Sequence, residues 1–290
     1  MGVDWDELRT ILYVVRGKSL AAAAANLGVN YTTVARRIAR AEKDLGQVLF
    51  DRRPDGYRAT EAAELIASHA SQMEVAEHGL MRDLNARDTT LSGPITITAP
   101  QLLIAHFLSP VIDEFCTSHP DVELRIRTSN DLLDLNKNEA DLAIRISRDP
   151  GDAYTGLRLT GQHNANFAVP ELAKEIADHP HKPIDWIVYD QFPDLPKTVL
   201  KAHPNSHVKL RFDDMVAMLG AAEAGLGVVR MPMFLGRSSG RLVQTTKVPP
   251  APYADIWAVA HKDVWRSAKL VAFREVLVPY FRANRSVFVA

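Results

Sequence analysis

The stretch Ala21–Leu49, AAAAANLGVNYTTVARRIARAEKDLGQVL, decides how the front of this chain folds. One short helix breaks at Leu27-Gly28-Val29, and a second begins at Asn30 and carries Val34, Ile38 and Ala41 along one face. An apolar stripe at that spacing needs a partner to bury it. Gly28 suits the left-handed conformation that ends a helix, and Asn30 suits the cap of the next. Arg36, Arg37 and Arg40 project from the other sides. Two helices joined by so tight a turn, the second basic where it is exposed, read as a helix-turn-helix, which lays its second helix in the DNA major groove.

The flanks complete a small domain. Asp4 caps a helix whose apolar face is Trp5, Leu8, Leu12 and Val15, and Gly17 ends it. Ser19 caps the next helix, with Leu20, Ala23, Ala24 and Leu27 inward; the third runs from about Asn30 to Leu45. Val48-Leu49-Phe50, a charged turn Asp51–Gly56 and the extended Tyr57-Arg58-Ala59 then read as the hairpin of a winged helix. Asn30, Tyr31, Thr32, Thr33, Arg36 and Arg37 are the expected groups nearest bases and phosphates. Arg40 and the wing residues Arg52, Arg53 and Arg58 are expected on the DNA backbone. The formal net charge of −1 hides a local bias, with seven Lys/Arg against four Asp/Glu from Val29 to Arg58, and two against six from Thr60 to Asp88. A modest basic patch suffices for phosphate contact, and the acidic segment behind it stays off the duplex.

From Thr60 to Arg87 the chain has no Pro and no Gly before Gly79, and Ile66, Ala70, Met73, Leu80 and Leu84 recur at spacings near a coiled-coil seam, broken by Glu77. So narrow a stripe on a long helix suggests pairing with a copy of itself. Thr89–Pro94 ends it as a domain boundary. Beyond, Ile95–Thr98, Val122–Arg127, Asp141–Ile146, Phe167–Val169, Trp186–Tyr189, Gly227–Arg230 and Ile256–Ala260 read as strands. Helices are expected from Pro100-Gln101 through Phe115, around Leu132–Asn136, from Asp213 (as cap) to Ala224 and from Ala268 to Phe281. Strands alternating with helices argue for a parallel α/β sheet. Cys116, the single cysteine, is expected as small apolar packing inside a helix, and it excludes a disulfide framework. His179/His181 and His203/His207 are interrupted by Pro180 and Pro204, so no metal and no cofactor is expected. The start MGVDWDELRT lacks a signal peptide's pattern, and no apolar run approaches a membrane span, so a soluble cytoplasmic protein without a membrane partner is expected. No nucleophile elbow, P-loop or dinucleotide-binding fingerprint is present, and the expectation is a protein that is not an enzyme.

Leu8-Arg9-Thr10-Ile11, Gly17-Lys18-Ser19-Leu20-Ala21-Ala22-Ala23, Leu27-Gly28-Val29, Val34-Ala35-Arg36-Arg37-Ile38, Glu42, Leu45-Gly46, Leu49-Phe50 and Thr60-Glu61-Ala62 follow one another in an order that resembles the LysR-type transcriptional regulators. The likeness continues, more loosely, through Phe115 with His119-Pro120, Asp141–Arg145, Val169–Ala173, and Ala224–Gly227 with Met231-Pro232. Two departures stand at the recognition helix, which opens Asn30-Tyr31-Thr32 where the family has Ser-Gln, and has Ala35 where it has Ser before the first Arg. Tyr31 removes an amide that reads adenine, so no family operator carries over.

The resemblance implies an N-terminal winged helix-turn-helix, a long linker helix, and a C-terminal α/β effector domain of two lobes like a periplasmic solute-binding protein. Expected boundaries are 1–59, 60–88 and 89–290, with lobe I about 93–160 and 265–290, and lobe II about 161–264. Ligands of open α/β sheets sit beyond the carboxyl ends of strands. The matching effector positions are Pro100, Gln101 and Leu102, then Ser129 and Asn130, then Ile146 and Ser147, with Asn166 and Met231 from the second lobe. Arg145 and Arg148 have the charge to neutralise an anionic effector, with surface salt bridges as the alternative role. Implied partners are double-stranded DNA at a dyad-related operator, a small-molecule effector, a second copy through the linker helix with a tetramer beyond it, and RNA polymerase if the protein activates. The alternative is a cytoplasmic solute-binding protein with a vestigial DNA-binding head.

Overall fold

Helix α1 (Trp5–Gly17) is fixed at its start by a capping box, in which Asp4 Oδ1 accepts from the Glu7 amide at 2.9 Å and Glu7 Oε2 accepts from the Asp4 amide at 3.1 Å. The computed structural model describes residues 2–53, 56–87, 90–128, 140–149, 151, 154–179, 181–192, 194–245 and 247–290, which separate into the units Met1–Leu84 and Asn85–Ala290. In the first unit Ser19 Oγ caps α2 (Leu20–Leu27) by accepting from the Ala22 amide at 3.0 Å. Gly28, at φ +65°, ends α2 in the left-handed region. Asn30 sits at the cap position of α3 (Tyr31–Leu45), but its side chain makes no capping bond, so only backbone geometry starts that helix. Val34, Ile38 and Ala41 of α3 close on Ile11 and Val14 of α1 and on Leu49, all buried. Each such side chain contributes roughly 1.5–3 kcal/mol on burial.

Strands β1 (Phe50–Arg53) and β2 (Gly56–Ala59) pair antiparallel, so Asp51, Arg52 and Arg53 lie in a strand rather than in the turn expected for them. Pro54 and Asp55 lie outside the described residues. Glu42 Oε1 accepts from the Leu49 and Phe50 amides at 2.8 and 3.3 Å, and Thr60 Oγ1 donates to Val48 O at 3.0 Å. The Tyr57 amide donates to Lys18 O at 3.1 Å; Gly56, at φ +131°, lies so near that a Cβ there would stand 2.7 Å from the same oxygen. Helix α4 (Glu61–Arg87) packs Ala63, Ala67, Ala70 and Glu74 onto the head. Glu74, 2% exposed, accepts from Arg16 Nη1 at 2.8 Å and from the Tyr13 hydroxyl at 3.0 Å, and Trp5 Nε1 donates to Glu77 at 3.1 Å. Of the expected seam, Ile66 and Ala70 therefore serve the head, while Met73, Leu80 and Leu84 are exposed.

The second unit begins with β3 (Gly93–Ala99), α5 (Gln101–Leu103), a π-helical turn Ile104–Leu108, and α6 (Ser109–Ser118). The π turn interrupts what was expected as one continuous helix to Phe115. There follow β4 (Val122–Thr128), β5 (Leu142–Ser147), β6 (Thr155–Thr160), β7 (His163–Ala168), α7 (Pro170–Asp178), β8 (Ile184–Tyr189) and α8 (Lys197–Ala202). The chain continues through β9 (Ser206–Phe212), α9 (Met215–Glu223), β10 (Val228–Pro232), α10 (Met233–Ser238), β11 (Val243–Gln244), β12 (Ala251–Pro252), β13 (Asp255–Ala260) and α11 (Ala268–Ala283). One sheet has the order β4-β3-β5-β13-β6; the other has β11-β7-β10-β8-β9 with β12 also on β7. Each is mixed rather than purely parallel, because a parallel trio is joined by strands running back: β13 on β5, and β7 on β10.

Asp255–Ala260 lies in the first sheet, not in the second lobe where a boundary near 264 puts it. The chain thus crosses between sheets after Thr160 and again after Pro252, and the Tyr253 amide donating to Gln162 O at 2.8 Å joins the two crossings. Helix α9 is capped by Asp214, which accepts from the Ala217 amide at 2.8 Å, and not by Asp213. Cys116 is exposed on α6 rather than packed in the core. The helix expected around Leu132–Asn136 lies outside the described residues. No helix among the described residues is long and apolar enough to cross a membrane.

Candidate functional site

The exposed groups of α3 fall into two sets. Tyr31, Thr32, Arg36, Ala39 and Lys43 are open to solvent, and Thr32, Arg36, Ala39 and Lys43 share one face at helical spacing. Arg37 and Arg40 instead turn toward α1. Arg37 pairs with Asp6 and reaches Thr10 Oγ1 at 3.4 Å; Arg40 Nε lies 3.0 Å from Glu7 Oε1 and 4.0 Å from Asp44 Oδ2. Thr33 is half-buried. On the wing Arg52, Arg53 and Arg58 are exposed, and the Arg52 guanidinium lies 5.8 Å from the centre of the Tyr57 ring. Desolvation raises the Tyr57 hydroxyl above its usual value, opposed by Arg52 and reinforced by Tyr31. Lys18 joins Arg53, Tyr57 and Arg58 around a concave surface beside the wing.

In the second unit a cavity of about 310 Å³ opens at the carboxyl ends of β8 and β10. Its wall is built from Asn164, Trp186, Tyr189, Phe192, Met215, Arg230 and Pro232 of the second lobe, Arg148 after β5 of the first, and Tyr253 at the return crossing. Register makes part of this wall: Arg230 faces Asn166 and Pro232 faces Asn164 across the antiparallel β7–β10 pair, so all four share one side of the sheet. Arg230 Nη1 donates to Asn166 Oδ1 at 2.8 Å, and burial pushes the guanidinium below its ordinary value. Asn164 Oδ1 is buried with no hydrogen-bond partner among the described residues. Burial likewise raises the Tyr253 hydroxyl; Arg148 opposes this and Tyr189 adds to it.

Residues 5–64 match the bacterial regulatory helix-turn-helix proteins of the LysR family, and residues 88–282 match the LysR substrate binding domain. The chain belongs to the LysR family. It is 31% identical over 171 residues to the Mau operon transcriptional activator of Paracoccus denitrificans, which covers 59% of this chain and 60% of that protein. The matched stretch is about half the length of other curated relatives. To the transcriptional activator AmpR of Pseudomonas aeruginosa it is 26% identical over 294 residues, covering 92% of each. Its fold is that of a full-length variant of AphB, with a TM-score of 0.68 at 20% identity, over 94% of this chain and 97% of that one. The full-length virulence activator AphB of Vibrio cholerae gives a TM-score of 0.61 at 19% identity, over 96% of this chain and 99% of that one.

Within this LysR chain the expected effector positions do not gather around the cavity. Pro100 caps α5, Gln101 is exposed and Leu102 half-buried. Ser147 closes a local turn, its Oγ bonded to the Asp149 carbonyl and amide, and half-buried Ile146 precedes it. Asn166 is buried on the same side of the sheet as Arg230, bonded to it, without lining the cavity. Met231 is fully buried and, paired with Ala165, points to the other side of the sheet from Arg230. Ser129 and Asn130 lie outside the described residues. Arg148 does line the cavity, whereas Arg145 lies over the Tyr154 ring, 5.3 Å from its centre. One signal for the wall was available in sequence: Arg230 is a charge inside the apolar run Val228–Leu235, where a charge needs a reason. Lys43 and Lys18 were missed in the head, although Lys43 follows Arg36 by two helical turns on the same face.

Proposed function

We propose that this protein is a cytoplasmic transcriptional regulator that binds a dyad-related DNA operator as a homodimer and responds to a small-molecule effector in the cavity of its second unit. The observation that carries the reading is the solvent-facing strip Thr32–Arg36–Lys43 of α3, left open while acids of α1 engage Arg37 and Arg40. A helix so presented enters the major groove, with the wing arginines on the flanking backbone. Met73, Leu80 and Leu84 on α4, exposed while its other face serves the head, support the pairing of two copies. Pairs of such dimers would give a tetramer, and contact with RNA polymerase follows if the protein activates. A ligand touching Arg148, Arg230 and Tyr253 together contacts both lobes and a crossing, so it biases their relative arrangement.

The test is fluorescence anisotropy of the full chain on fragments of its own upstream intergenic region across a salt titration. Site-selective binding with a steep salt slope is expected, and Arg36→Ala is expected to weaken it about tenfold or more. Equal, weak binding to every fragment would favour the solute-binding reading instead. Unchanged affinity for Arg36→Ala would remove α3 from the groove.

A further inference from the structure

We propose that the cavity takes a small organic carboxylate on an apolar, ring-sized body, with Arg230 holding the carboxylate. This rests on the reading of the cavity as the effector site. Three observations carry it. The Arg230 guanidinium enters the wall from mid-strand β10, pairs with no carboxylate among the described residues, and spends one donor on the neutral amide of Asn166. A half-buried cation without a counter-charge is costly to keep, and a bound anion removes that cost.

The guanidinium fork matches the two oxygens of a carboxylate, and its remaining donors suffice for a second bond. Asn164, on the same side of the sheet as Arg230, leaves its buried amide oxygen unpartnered. A half-turn of that amide offers Nδ2–H to the same anion. The remainder of the wall is apolar or aromatic, through Trp186, Tyr189, Phe192, Met215 and Pro232. A cavity near 310 Å³ holds a single ring with its acid group, and so apolar a lining gives little to a bare inorganic anion. Arg148 adds positive charge from the facing lobe, and the acidic residue of the wall, Asp194, is exposed at the rim, where solvent screens it.

Matched probes separate charge from shape. Benzoate and cyclohexanecarboxylate are titrated into the full-length protein by calorimetry beside their neutral isosteres, benzamide and cyclohexanecarboxamide, and beside acetate, which has the charge without the body. At least one ring carboxylate is expected to bind about tenfold or more tighter than its amide and than acetate, a difference of about 1.4 kcal/mol. Arg230→Met is expected to erase that preference, Arg230→Lys to restore part of it, and Arg125→Met, on exposed β4, to leave it intact.

The ligand comparison in the unaltered protein needs no variant, so it stands even if Arg230→Met fails to fold. Equal binding of acid and amide, no binding of any ring carboxylate, or a preference that survives Arg230→Met overturns the proposal. Operator anisotropy in the same samples distinguishes the failures. Amides that bind and shift DNA affinity leave the effector reading standing without the carboxylate. Intact DNA binding with no bound probe removes the carboxylate alone, and lost site-selective DNA binding removes the regulator reading itself.

Discussion

Arg37 of the head and Arg230 of the cavity wall are both half-buried, and they are kept in opposite ways. Arg37 lies against Asp6 and Thr10, its neighbour Arg40 against Glu7 and Asp44, and Arg16 against the buried carboxylate of Glu74. Each acid sits on α1, α3 or α4, so the head settles these charges within its own fold and leaves Arg36 uncommitted among the described residues. Arg230 has a neutral amide, and its desolvated charge stays unmatched within the described protein. A guanidinium matched by acids is structural first. One left unmatched in a concave, apolar wall is suited to an occasional partner.

Removing the acid in the head is the strongest challenge to that contrast. Glu74→Ala strands Arg16 and the Tyr13 hydroxyl beneath α4, and is expected to cost about 2–3 kcal/mol in urea unfolding of the full chain. A smaller loss would mean that α4 is held by its alanine face alone. Next comes Arg37→Met, expected to cost at most about 1 kcal/mol, because the Asp6 carboxylate is mostly in solvent. It should weaken operator binding less than Arg36→Ala does; the reverse order in the anisotropy assay would place Arg37, not Arg36, on the DNA. The smallest effect is expected at Arg230→Met in the ligand-free protein, where replacing an unmatched charge by an apolar chain of similar length leaves the melting temperature unchanged or slightly higher. A loss comparable to Glu74→Ala would show that Arg230 is structural, and the contrast between the two regions would collapse.

The head was legible because its chemistry is contiguous and periodic. Val34, Ile38 and Ala41 fix the buried side of α3, which leaves Arg36 outside by geometry alone. What the 3.6-residue period does not show is a neighbouring helix's charge: nothing in α3 itself announces that Asp6 and Glu7 engage Arg37 and Arg40. The cavity was mostly illegible. Its wall is drawn from segments spread between Arg148 and Tyr253, and strand alternation turns an error of one residue into the wrong face of the sheet. Met231, expected at the effector site, and Arg230, which lines the cavity, are neighbours on β10 that face opposite sides of the sheet. Ser147 shows another limit: a short polar side chain at a strand end is engaged here by a local turn, which a single sequence does not announce.

The π-helical turn Ile104–Leu108 carries a consequence for the history of this chain. A turn of that kind amounts to one residue inserted into an ordinary helix. Within it, His106 Nδ1 meets Ser238 Oγ of α10 at 3.1 Å, and Phe107 packs 4.5 Å, centre to centre, from Phe288. Deleting a single residue between Pro100 and Pro110 would let the helix run on regularly with its two ends still in phase, and would take away the bulge that presents His106 to Ser238. Where descendants of this gene lose one residue in that short segment, residues 106 and 238 should therefore change together.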